Sequence, residues 1–172
     1  MKKFLSVFLA ITVIFSFAAF AIGSSDDSSA TVSQGDETNE GTSTNTNGNV
    51  TVNVGDVLKT SNLEITYKEC GEYKGYSQYF APESGFKYIY IDLDAKNIGD
   101  SDAYISVYEF ECYADDVAME AHYEDDDLSA TLSAGRSTSG RVYFEVPVDA
   151  ENIEIEYETD FWDDQKAVFL FK

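Results

Sequence analysis

A chain of 172 residues with 32 acidic against 11 basic side chains carries a formal charge of −21. Nucleic acids are polyanions gripped mainly through Lys and Arg on phosphate. Past residue 3 the sequence holds no basic cluster, so nucleic-acid binding is excluded. The charge suits a cationic partner, a divalent ion, a saline habitat or plain solubility.

The basic start Met1-Lys2-Lys3, the apolar run from Phe4 to Gly23 and the small-x-small tripeptide Ala19-Phe20-Ala21 read as an export signal over residues 1–21, cut after Ala21. Left uncut, the run to residue 23 is just long enough to anchor in a bilayer. That would be the protein's one membrane contact. Loss of Lys2 and Lys3 takes the net charge from −21 to −23. Residues 22–49 hold no aromatic or basic residue, and from Gly23 onward only Ala30 and Val32 are apolar. Such composition cannot offset the entropy of ordering, so a disordered Ser/Thr/Gly/Asn-rich linker is expected. Residues 50–172 carry all 12 tyrosines, Trp162 and the seven phenylalanines beyond the leader, enough for one core.

Within that domain, Val50, Val52 and Val54 alternate up to the Gly55-Asp56 turn, and Leu63, Ile65 and Tyr67 alternate in a second strand. A Gly- and Pro-punctuated loop follows, bearing Tyr73, Tyr76, Tyr79 and Phe80. The clearest strand is FKYIYIDLDAKN, with Ile89, Ile91, Leu93 and Ala95 on one face and Tyr88, Tyr90, Asp92, Asp94 and Lys96 on the other. After NIGDSDA, the stretch ISVYEFECYADD is expected to put Tyr108, Phe110 and Cys112 on one face. Val117–Tyr123 reads as another short strand. LSATLSAGRSTSG leads into a hairpin, in which Val142, Phe144 and Val146 alternate before the Pro147–Asn152 turn and Ile153, Ile155 and Tyr157 after it. AVFLFK closes the chain. Seven to nine short strands without helical periodicity predict an antiparallel two-sheet sandwich, with a closed barrel as the alternative.

The motifs GFKYIYIDLDAKNIGDSD, FECYADD, LSATLSAGR, SGRVYFEVP and IEIEYETDFW resemble a family of uncharacterised extracellular domains of Gram-positive bacteria. That family lies near the mycobacterial secreted immunoprotective antigen, and the resemblance implies an immunoglobulin-like β-sandwich outside the cell. It is silent on activity, since sandwiches host many functions. Many relatives look like lipoproteins, but here Ser24 stands where an acylated Cys would close the leader.

Few residues suggest chemistry. His122 is the only histidine, which excludes multi-His metal sites, and it reads as a surface residue beside Tyr123. Asp92 and Asp94 share a face, as a carboxylate-dependent hydrolase requires, yet so does any solvated acidic strand. Glu124, Asp125, Asp126 and Asp127 offer hard oxygens for calcium, with Asp100 and Asp102 as further donors, but their spacing matches no EF-hand loop. Tyr73, Tyr76, Tyr79 and Phe80 either form a binding loop or fold back over the core. Two cysteines in an exported domain predict a Cys70–Cys112 disulfide, provided that a bulge turns Cys70 inward. The reading that results is a non-enzymatic module without cofactor, binding an extracellular protein or a cell-wall component. The alternatives are a secreted hydrolase and a calcium-responsive envelope protein.

Overall fold

The computed structural model describes residues 30–34, 49–159 and 165–172. The export signal and Trp162 lie outside these. The described residues form thirteen strands, more than the seven to nine expected because several are only two to four residues long. They are β1 (Thr31–Gln34), β2 (Val50–Val52), β3 (Asp56–Lys59), β4 (Leu63–Tyr73), β5 (Phe86–Asn97), β6 (Ala103–Ser106), β7 (Phe110–Ala114), β8 (Val117–Ala118), β9 (Glu120–His122), β10 (Ser129–Leu132), β11 (Ser137–Pro147), β12 (Ile153–Glu158) and β13 (Lys166–Phe171).

Two sheets face each other. One has the order β1-β3-β4-β5-β11-β9, the other β2-β13-β12-β7-β8, and β6 pairs with β10 in a small ladder. All pairs are antiparallel except β2 with β13, which run parallel. The core lies between the inner faces. Ile65, Tyr67, Ile89, Ile91, Leu93, Val142, Phe144 and Val146 come from the first sheet, and Phe110, Cys112, Ile153, Ile155, Tyr157 and Phe169 from the second, all buried. Every second residue of a strand faces the core, which is why the sequence displays these sets at period two. The Tyr67 hydroxyl reaches across the sandwich and donates to the Leu170 carbonyl at 3.2 Å, so its polar tip is not left unpaired.

Four expectations need correction. Residues 30–34 do not belong to a featureless linker: β1 pairs with β3 and buries Ala30 and Val32, the two apolar residues of the segment. The Ala30 N–H donates to Gln165, which fixes the start of that strand. The expected hairpin is not one. β11 and β12 belong to opposite sheets, so the Pro147–Asn152 turn carries the chain across the sandwich. Tyr108 is not in phase with Phe110, because Val107–Glu109 form a 3-10 turn capped reciprocally by Ser106 and Glu109, and Tyr108 is 76% exposed. Val117–Tyr123 is two strands, β8 in one sheet and β9 in the other, with Met119 between them.

The fourth strand contains a β-bulge, a register shift between Tyr67 and Glu69. Lys68 and Glu69 are both exposed, and Cys70 turns back to pack partly against the core. The bulge that the disulfide required is therefore present, but the disulfide is not. Cys70 and Cys112 are both free, and the Cys70 thiol is directed at the Lys172 carbonyl, 3.5 Å away. Burial pushes the Cys112 thiol up to about 12. Alkylation of the unfolded, unreduced protein should label two thiols per chain. In the folded protein Cys70 should react at least tenfold faster than Cys112, whose thiolate is scarce and enclosed. A protein that takes no label until reductant is added would overturn this.

Candidate functional site

The outer face of the six-stranded sheet is where the polar side chains of the sequence reading converge. Register sets them in rows. Tyr73 lies opposite Tyr88, and Tyr88 opposite Glu145. Gly71, Tyr90, Tyr143 and His122 form the next row, and Glu69, Asp92 and Arg141 the one after. Two glycines make room. A Cβ on Gly71 would stand 3.2 Å from the Tyr90 ring, so its absence lets that ring lie across β4. A Cβ on Gly140 would come within 2.7 Å of the Leu128 backbone. Without it, the acidic loop closes on β11, with Leu128 N–H donating to Arg141 and Arg141 N–H to Asp126.

The charges on this face are paired internally. Arg141 lies 3.1 Å from Asp92, 3.4 Å from Asp126 and 3.7 Å from Glu69, with its guanidinium 4.5 Å above the Tyr90 ring centre. The Lys68 ammonium sits 3.3 Å from both Asp92 and Asp94, on oxygens that have no other hydrogen-bond partner. Tyr143, 1% exposed, donates its hydroxyl to Asp126 at 2.7 Å. Burial, reinforced by that bond, holds its phenol well above the ordinary range. The Tyr143 oxygen nearby, and then the Asp92 carboxylate, hold Arg141 even more firmly protonated than usual.

Aromatic rings cover the rest. His122 stacks on Tyr88 at 3.8 Å and 13°, and its Nε2 lies 2.8 Å from Glu124. It is a largely enclosed member of the cluster, not the surface residue expected. Tyr73 meets Tyr143 edge-on at 5.0 Å, and Tyr76 meets Tyr88 at 5.6 Å. The four loop aromatics thus divide. Tyr73 and Tyr76 fold back onto the sheet, whereas Tyr79 and Phe80 are 84% and 69% exposed.

The calcium candidates are not gathered around one point. Glu124 faces His122, Asp126 binds Tyr143 and Arg141, and Asp127 accepts the Glu124 N–H. Among the described residues no group of three or more His, Cys, Asp or Glu is placed to hold a metal ion. Asp92 and Asp94 do share a face, but both are tied to Lys68.

A groove with no signal in the sequence lies at the loop end of the same sheet. It encloses about 260 Å³ and is lined by Glu83, Phe86, Ala118, Met119, Glu120 and Glu145. The chain crosses between sheets at Met119, and that crossing forms one wall. These residues come from three separate segments, so no local spacing could have revealed the site.

Fold and surface together define a β-sandwich with an ion-paired, ring-covered face and an exposed aromatic loop. Residues 52–167 match the family described as a domain of unknown function, DUF4352, and the chain belongs to it. Three solved structures share the fold, each at a TM-score of 0.55. The secreted protein MPT63 of Mycobacterium tuberculosis is 14% identical, over 72% of this chain and 98% of its own. YjhA of Bacillus subtilis is 13% identical, over 70% and 98%. The candidate lipoprotein YcdA of Bacillus subtilis is 16% identical over 67% of this chain, which spans only 38% of that protein's length. No curated protein matches the chain. The resemblance read from the strand motifs is to this family and these neighbours.

Proposed function

We propose that the protein is an exported, non-enzymatic recognition module that works outside the membrane on a protein or cell-wall component. Tyr79 and Phe80 carry this reading. They are large, exposed aromatics on a turn closed by the Phe80 N–H to the Ser77 carbonyl, held between Tyr76 and the start of β5. Tyr73 and Tyr76 anchor the base of the loop in the ring cluster, so little entropy remains to be lost when the tip is covered. Aromatics so placed are what recognition surfaces use as anchors. The leader-like N-terminus and the secreted neighbour support an extracellular location. The carboxylates that a hydrolase would need, Asp92 and Asp94, serve as ion-pair partners instead.

Capture from cell-wall extract by the immobilised protein tests the reading. The expected result is a retained component whose yield falls at least tenfold with Tyr79→Ala/Phe80→Ala. Undiminished capture by that variant, or turnover of a glycan or peptide panel that is lost in Asp92→Asn, would overturn it.

A further inference from the structure

The groove beside the loop has a chemistry of its own. Glu83, Glu120 and Glu145 bring three carboxylates to its rim, while Phe86, Ala118 and Met119 supply apolar surface. None of the three carboxylates has a Lys, Arg or His ion-pair partner among the described residues. Lys87, next to Phe86, turns its ammonium to the Val148 carbonyl. The contrast with the neighbouring outer face is the informative point. There Lys68 and Arg141 pair with the carboxylates of the acidic cluster from within. In the groove no described residue supplies a compensating cation.

We propose that this groove takes a lysine side chain of a basic extracellular polypeptide, with the ammonium at the carboxylate rim and the methylene stem along Phe86 and Met119. The proposal rests on the recognition-module reading and names its class of partner. Volume supports it. About 260 Å³ falls below the roughly 300–1,000 Å³ that encloses a whole small-molecule ligand, but it accommodates one long side chain. The composition of the lining supports it as well, because lysine buries an apolar stem while its head remains polar. An ammonium has rotatable donors, so it can bind the rim carboxylates within its reach without all three converging on one point. A guanidinium is a planar fork that seeks both oxygens of one carboxylate, and Glu145 cannot offer both, since one already accepts the Glu83 N–H at 2.5 Å. A bare divalent ion fits less well, since it needs ligands converging at about 2.3–2.6 Å and the described carboxylates are not so placed. The charge of −21 attracts basic partners at long range.

Met119 provides a direct probe. The sequence has two methionines, Met1 and Met119, so cleavage of the leader leaves a single methyl-labelled methionine, in the groove wall. Titration of the exported, 13C-methyl-Met protein with tetralysine should shift the Met119 resonance saturably, and the affinity should fall as salt rises. Tetra-norleucine, which lacks the charge, should leave the resonance in place, and tetra-arginine should bind at least fivefold more weakly. Glu120→Gln/Glu145→Gln should lower tetralysine affinity at least tenfold, whereas Glu151→Gln/Glu154→Gln, which removes the same charge elsewhere, should change it less than twofold. Thermal unfolding of each variant shows that the comparison is between folded proteins. An unmoved Met119 signal, an equal response to norleucine, tighter binding of arginine, or equal losses in the two glutamate pairs would each overturn the proposal. Failure here is separable from failure of the module reading. Wall-component capture that persists in Glu120→Gln/Glu145→Gln but is lost in Tyr79→Ala/Phe80→Ala would sink the groove and keep the module.

Discussion

Phe169→Ala should lower the free energy of unfolding by about 3–5 kcal/mol, read as a fall in the urea midpoint at unchanged slope. Phe169 is fully buried on β13, paired with Ile155 on one side and with Val52 on the other. Its ring meets Tyr67 edge-on at 5.4 Å across the sandwich and lies 6.2 Å from Phe110. Truncation loses the transfer free energy of the ring and leaves a cavity between two sheets. Those sheets are too firmly hydrogen-bonded to collapse into it. The edge-on pair with Tyr67 is lost as well. Phe171→Ala on the same strand is the internal comparison. That residue is only half-buried, at the strand end, and its loss should cost about 1–2 kcal/mol. Equal costs at the two positions would show that Phe169 is not the central ring of the core.

The inner face of this sandwich was legible because a strand advertises its buried side at period two. Ile89, Ile91, Leu93 and Ala95 on β5, and Val142, Phe144 and Val146 on β11, lie where alternation puts them. What covers the other side of a strand was not legible. Tyr88 and Tyr143 read as outward residues, and outward they are. They are nonetheless buried, by His122 and by rings from a loop far away in sequence. Alternation also does not distinguish a hairpin from a crossing between sheets, because β11 and β12 show the same pattern under either connection. The break at Tyr108 did have a signal in the Ser106-x-x-Glu109 spacing of a capping box, which the apolar alternation around it obscured. Ala30 and Val32 also alternate, but a four-residue strand in a polar segment is too short for its pattern to stand out. The groove was beyond reach because its carboxylates meet only through tertiary structure.

Arg141→Met should cost about 2–3 kcal/mol of stability, the second-largest effect expected of a single substitution. The reference point is the roughly 3–5 kcal/mol lost when one partner of a buried ion pair is removed, reduced here because the guanidinium is 31% exposed. Methionine keeps an unbranched, apolar stem but leaves Asp92, Asp126 and Glu69 around a position without positive charge. It also removes the cation from above Tyr90. The charge repulsion grows in this chain, where the nearest remaining cation, Lys68, is already shared between Asp92 and Asp94. Arg141→Lys restores the charge without the fork that reaches several carboxylates at once, so it should recover less than half of the loss. The decisive measurement is the double variant Arg141→Met/Asp92→Asn. If the guanidinium is there to neutralise this cluster, removing the Asp92 charge together with it should be less costly than the two single effects added, by about 1 kcal/mol or more. Strict additivity would mean that the Arg141–Asp92 pair contributes nothing, and that Arg141 acts through Asp126, Glu69 or the Tyr90 ring instead.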